Sequence, residues 1–210
     1  AQAKVLDSVL VTLVDHGILA SVGARMVYMA SPDSLQGAIA AGILSIGSQF
    51  GGVQEQVGRH LEEIIAAADP DAKAREIVAE YRAAKRPLPG FGHPHFRPED
   101  PRAQKLIAVA ERAGVPGRHI AALRAFSKAV DAALGKHITV NATAAMAAVM
   151  GEIGIPWSIM RGFAAVSRAV GTLGHIHEEQ QKPVAASIGM LAQALIPYEG
   201  DEQTSGGKVR

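Results

Sequence analysis

The chain contains no cysteine, which removes disulfide frameworks, thiolate zinc sites and cysteine nucleophiles together. A reducing compartment, the cytoplasm, is the expected location. An excess of charge is missing as well: 21 lysines and arginines face 20 aspartates and glutamates, for a formal net charge of +1 without a long basic run. Such a surface offers no footprint for a polyphosphate backbone, so nucleic acid is not an expected partner. No apolar stretch reaches the roughly 18 uninterrupted residues that a membrane span requires, and no membrane partner is expected. Ala1 is not a start methionine, and an earlier segment is expected to be missing. Alternating, strand-like runs are nearly absent.

What is present is helical periodicity. Val5, Leu6, Val9, Leu10, Leu13 and Val14 recur at the spacing of one helix face, and the pattern continues through the chain. The expected class is all-α. At 210 residues the chain holds either one large domain or a large domain with a smaller one attached. Ser31-Pro32-Asp33 can cap and start a helix carrying Leu35, Ile39, Ile43 and Ile46; Asp69-Pro70-Asp71 and Asp100-Pro101 repeat the device. Between the last two lies the segment from Pro87 to Asp100, fourteen residues with four prolines and two glycines, which cannot be helical. A long ordered loop in a helical protein is a place to look for chemistry. Small residues crowd Ser34 to Gly52 and Ala142 to Ala148, as at close helix contacts or a subunit interface. The tail from Asp201 to Arg210 is polar and expected to fray.

His93 follows Gly90-Phe91-Gly92 in that loop, where glycines bring backbone close to a ligand and an imidazole can reach a reacting oxygen. The plain alternative is an exposed loop histidine. His16, in Asp15-His16-Gly17, reads locally as a helix C-terminal cap. His175 and His177 are two apart on a helix and point in different directions, so a metal site from that pair is not expected. Arg97 and Arg102 flank the histidine loop, and each alone would read as a solvated surface charge. Arg168 lies among Phe163, Val166 and Val170, which points it into a cleft or interface. Lys136 follows Gly135 at a helix end, where the ordinary role is dipole compensation.

Asp15-His16-Gly17, then residues 31–42 (SPDSLQGAIAAG), residues 90–102 (GFGHPHFRPEDPR) and residues 167–171 (SRAVG) together resemble the citrate synthase family in order and spacing. The likeness runs from Val5 to about residue 185, and its most specific part is the segment 90–102. Within the superfamily the chain resembles short bacterial citryl-CoA lyases. The resemblance implies a homodimer of all-α subunits, with residues 1–50 and 144–200 as a large domain, residues 51–143 as a smaller lid and residues 201–210 as a flexible tail. It implies a CoA thioester and an oxaloacetate-like acid as substrates, with no tightly bound cofactor and no metal. His16 would bind the oxaloacetate part, His93 would act on its carbonyl or hydroxyl oxygen, and Arg102 and Arg168 would hold carboxylates. Arg97, Lys136 and the backbone of Gly90, Phe91 and Gly92 would meet CoA.

Two catalytic positions depart from the family pattern. Phe50, before Gly51-Gly52, stands where the family has the histidine that polarises the thioester carbonyl, and phenylalanine donates no hydrogen bond. Thr143, two residues after Asn141, stands where the family has the aspartate that moves the α-carbon proton, and a hydroxyl is far too weak a base for that near neutral pH. Val184 also replaces the second arginine of a late Arg-Pro-Arg motif. Loss of an oxyanion donor costs about 10²- to 10³-fold in rate, and loss of a general base roughly 10²- to 10⁴-fold. The sequence therefore points to a carbon–carbon lyase or related acyl-CoA enzyme in which His93 takes a hydroxyl proton, with Thr143, Asn141 and His95 as the polar replacements. The rival is a family member that binds CoA thioesters as a regulatory or structural subunit.

Overall fold

The computed structural model describes residues 2–15, 18–47 and 51–196, so the expectations for His16, Phe50 and the tail lie outside the described residues. Within them the fold is all-α, as the periodicity predicts. Among the described residues ten α-helices are delimited: α1 Gln2–Leu13, α2 Ile18–Ala30, α3 Leu35–Leu44, α4 Val53–Ala66, α5 Pro70–Ala83, α6 Pro101–Arg112, α7 Arg118–Leu134, α8 Ala142–Glu152, α9 Met160–Gln181 and α10 Ala185–Leu195. A short 3-10 turn, Trp157–Ile159, precedes α9.

The aspartate-proline breaks act as helix starts. Asp69 accepts the Ala72 amide at 2.9 Å with Pro70 opening α5, and Asp100 accepts the Arg102 amide at 3.0 Å with Pro101 opening α6. Each cap satisfies an amide that the helix leaves without a partner, worth about 1 kcal/mol. The earlier break, Ser31-Pro32-Asp33, does not cap a helix: it forms a turn in which the Ser34 amide donates to the Ser31 carbonyl at 3.1 Å. Helix α3 begins at Leu35 behind Ser34, which makes no side-chain cap bond.

Helix α8 is the centre of the core. All of its residues are buried except Thr143, and it packs against α4, α6, α7 and α1. A run of alanines with Met146, Val149 and Met150 is apolar all round and thin, so it can be enclosed on every side. Val57, Leu61 and Ile64 of α4, Ile77 of α5, Leu106 of α6 and Leu123 and Phe126 of α7 belong to the same buried cluster. At the far end of α8, the buried Glu152 accepts the amides of Gly117 and Ile120 at 2.7 and 2.9 Å, matching negative charge to the start of α7.

Helices α2 and α3 pack on each other and on α9, with Ala24, Ala38 and Ile176 between them. Helix α9 also reaches α1 and α4, so it ties this pair to the main core. Buried Arg25 of α2 bridges Glu178 at 2.5 Å and Glu179 at 2.9 Å, and Glu179 in turn accepts the amides of Val184 and Ala185 at the start of α10. Nothing in the pattern of Arg25's neighbours announces this ion pair, because its partners lie 153 and 154 residues away. Among the described residues no single helix is long and apolar enough to cross a membrane.

Candidate functional site

The proline-rich loop between α5 and α6 is ordered by its attachment to the approach of α8. Phe91 pairs with Val140 in an isolated antiparallel bridge, in which the Gly92 amide donates to Thr139 at 2.8 Å and the Asn141 amide donates to Gly90 at 3.0 Å. Gly90 has φ +84°, and a Cβ there would stand 2.7 Å from Ala144 Cβ and 2.8 Å from Val57 Cγ2. Both the backbone conformation and the close approach to α8 thus require glycine. Asn141 caps α8 through the amides of Thr143 and Ala144, while its Nδ2 donates to Gly92 at 3.1 Å. The Thr139 hydroxyl donates to the Pro98 carbonyl at 2.8 Å, fastening the far side of the loop.

Phe91 turns its ring inward, edge-on to Phe126 with ring centroids 5.0 Å apart. Its side chain therefore belongs to the core, and only backbone at this position can face a ligand.

His93 is held by its own loop. Nδ1 accepts the amides of His95 and Phe96, both at 3.1 Å, and the ring lies 4.7 Å from that of Phe96. A nitrogen that accepts two N–H donors carries the lone pair, so the neutral ring has its proton on Nε2. Nε2 faces Nη2 of Arg102 at 3.1 Å. Burial, with the Arg102 guanidinium next, holds the His93 pKa below the ordinary histidine value, and the Asp100 carboxylate opposes them. The neutral form is thus favoured. In this arrangement the Nδ1 lone pair is committed to the loop, and Nε2 is the ring nitrogen left for a ligand.

Arg102 is aimed by Asp100, which is fully buried. Asp100 Oδ1 accepts from Arg102 Nε at 3.0 Å, and Oδ2 accepts from Arg102 Nη2 at 2.8 Å and from the Ala142 amide at 2.9 Å. Burial raises the Asp100 pKa, but the Arg102 side chain and the amides of Arg102 and Ala142 outweigh it and hold the carboxyl below the usual aspartate value. One edge of the guanidinium is occupied by this carboxylate, and the Nη1 side is left for an anion from outside.

The expected site residues fall into two groups, with Arg102 apart from both on a third cleft, of about 730 Å³, between α1 and α6. Gly92, His93, Arg97 and Lys136 line one cleft of about 440 Å³, with the two cations exposed at its rim. Thr143 and Arg168 line another, of about 270 Å³, between α8 and α9. Arg168 is buried, as its apolar neighbours predict, and burial pushes its guanidinium pKa down against the pull of Asp15. The start of α8 joins the groups, since Asn141 and Asp100 bind both the histidine loop and the first turn of the helix that carries Thr143. His175 pairs with Asp15 at 3.2 Å and Glu178 at 3.3 Å, and His177 meets Gln180 and Gln181 at 3.4 and 2.9 Å.

Two polar residues of the second cleft were not foreseen, Gln54 and Arg161. Gln54 had a legible signal. It sits on the face of α4 that carries Val57, Leu61 and Ile64, where an apolar residue belongs. Arg161 gave none, because its pairing with Glu55 at 2.7 Å joins residues 106 apart.

The model of the citrate synthase C-terminal domain matches residues 1–188. The citrate synthase of Haloferax volcanii is 30% identical over 182 residues, which are 85% of this chain and 47% of that protein. The chain spans about half the length of the citrate synthases it matches. The solved structure of citryl-CoA lyase from Hydrogenobacter thermophilus is similar with a TM-score of 0.82 and 28% identity, covering 95% of this chain and 77% of that one. ATP citrate lyase from Methanosaeta concilii, solved in complex with (3S)-citryl-CoA, has the same fold at a TM-score of 0.68 and 20% identity, over 96% of this chain and 35% of that one. With a family match over nearly its whole length and this likeness in fold, the chain belongs to the citrate synthase family.

Proposed function

We propose that the chain is a carbon–carbon lyase acting on citryl-CoA or a related β-hydroxyacyl-CoA thioester, in the manner of the citryl-CoA lyase it resembles. The observation that carries this reading is the meeting of two donors, His93 Nε2–H and Arg102 Nη2–H, 3.1 Å apart. Two donors facing one another are satisfied only by an acceptor placed against both, and the hydroxyl-derived oxygen of such a substrate is one. As the hydroxyl proton leaves to solvent, the bond between the hydroxyl-bearing carbon and the thioester's α-carbon breaks. Its electrons form the enolate of the released acyl-CoA, and the oxygen becomes a ketone held by the same two donors. Solvent returns a proton to the α-carbon. Arg102, through Nη1, and Arg168 bind the acid's carboxylates, while Arg97 and Lys136 meet CoA phosphates at the rim.

Exposed apolar residues support a homodimer. Val166, Val170 and Leu173 on α9 and Met190, Leu191 and Leu195 on α10 are all at least 48% exposed, large apolar side chains that a second copy could cover. A lid movement of residues 51–143 against residues 1–50 and 144–200 belongs to the same proposal; α8, packed on α4, α6 and α7 in one buried cluster, would move with the lid.

One observation favours a second reading, a CoA-thioester-binding subunit without turnover. Thr143 is the residue that the start of α8 presents to the cleft, and it is no base. Incubation with citryl-CoA, and separately with acetyl-CoA plus oxaloacetate, decides between them. Acetyl-CoA release from citryl-CoA supports the lyase; stabilisation by CoA without turnover supports the binding subunit.

A further inference from the structure

We infer that Gln54 is the hydrogen-bond donor to the thioester oxygen, in place of the donor that Phe50 cannot supply; this rests on the lyase reading above. Cleavage of a β-hydroxyacyl thioester drives an electron pair onto the thioester's α-carbon and oxygen, and that oxygen needs a donor set in place beforehand. Gln54 is 2% exposed, yet its carboxamide makes no hydrogen bond to any described residue. Its polar atoms are not shut off from water, so the amide keeps an N–H donor for whatever enters beside it. The little surface it keeps opens on the cleft that it lines together with Thr143, Arg161 and Arg168.

Its place on α4 is fixed by packing. Val57, Leu61 and Ile64 on the same face are fully buried, so the first turn of the helix cannot swing away from the cleft. Gly51, which also lines the cleft, stands just ahead of that turn. On the opposite wall Thr143 occupies the first turn of α8, where the positive end of a helix whose other residues are buried faces in. A thioester carbonyl laid between these walls has the Gln54 Nε2–H on one side and the helix start on the other. In the cleavage step no proton passes through Gln54. The C–C electron pair moves to the thioester, Nε2–H bonds to the enolate oxygen, and solvent protonates the α-carbon as the ketone departs. Gln54 is thus a catalytic residue through a bond that strengthens as charge develops, which lowers the barrier without tightening the ground state.

The test compares the wild-type chain with Gln54→Leu and Gln54→Glu, the latter keeping the side chain's shape while exchanging the N–H for an oxygen. Two readouts are taken: kcat and KM for citryl-CoA cleavage, and affinity for carboxymethyl-CoA, whose carboxylate stands for the enolate, relative to CoA. Expected are a fall in kcat of about 10²- to 10³-fold with KM little changed, and loss in both variants of the wild-type preference for carboxymethyl-CoA. Unchanged kcat and unchanged preference in Gln54→Glu overturn the assignment. A wild-type chain that turns over no citryl-CoA defeats the lyase reading instead, and the carboxymethyl-CoA preference still decides the role of Gln54.

Discussion

His93 Nε2 and Arg102 Nη2 stand 3.1 Å apart, and because Nδ1 accepts two loop amides the neutral ring carries its proton on Nε2. Two backbone amides hold the lone pair of His93 on Nδ1, and Asp100 holds the guanidinium in place. Each donor is therefore aimed by a partner behind it, and neither can turn away without giving up a bond that orders the loop. The arrangement is set for an oxygen before any ligand arrives.

Asparagine at position 93 separates the two duties of the ring. Its Oδ1 can occupy the place of Nδ1 and accept the loop amides, but it has nothing at the place of Nε2. His93→Asn is expected to melt close to the wild-type temperature, whereas His93→Ala loses about 1–2 kcal/mol by leaving two amides without their acceptor. Thermal melts of the three proteins check this; equal losses in both variants would show that the amides do not depend on Nδ1.

Acidification acts on the same ring. The folded His93 pKa lies below the ordinary 6.5 because of burial and Arg102, so the unfolded chain takes up this proton at higher pH than the folded one. The stability tied to neutral His93 is complete above about pH 6.5 and is lost as pH falls through the folded value. Melts at about pH 7.5 and about pH 5.5 should show a smaller acid-induced drop in His93→Asn than in the wild type. An equal drop in both would place the acid sensitivity elsewhere.

Asp100 is the structural partner on which both donors depend. Asp100→Ala removes the α6 cap, the acceptor of the Ala142 amide and the carboxylate behind Arg102. A loss of about 3 kcal/mol is expected, read as a lower urea midpoint at unchanged slope. A loss below about 1 kcal/mol would show that water replaces the carboxylate in the buried site.

Much of this was legible in the residues themselves. The aspartate-proline pairs marked two helix starts, four prolines marked the loop, and the alanine run of residues 142–148 marked the central helix, because each of these acts locally. Arg168 was legible from its apolar neighbours. The direction of the His93 proton was not, since it is set by how the loop folds back to bring the amides of His95 and Phe96 onto Nδ1. Nor could spacing tell that Thr143 and Arg168 share a different cleft from Arg97 and Lys136, which follows from how α8, α9 and the histidine loop meet.

The apolar stripe of α9 and α10 yields a prediction about assembly. Leu191 is 64% exposed, so replacing it with glutamate costs little within one subunit but places a charge in the proposed dimer contact. Leu191→Glu should remain folded and elute as a monomer when the wild type elutes as a dimer. A wild-type chain that is monomeric at all concentrations measured would contradict the proposed dimer.

The central claim is that His93 and Arg102 together hold the oxygen of a substrate whose carbon–carbon bond breaks. Steady-state release of acetyl-CoA from citryl-CoA, measured side by side for wild type, His93→Asn and Arg102→Leu, tests it most directly. The wild type should release acetyl-CoA, with kcat/KM lowered about 10²-fold or more in each variant. Release at the wild-type rate by either variant, or none from the wild type, would contradict it.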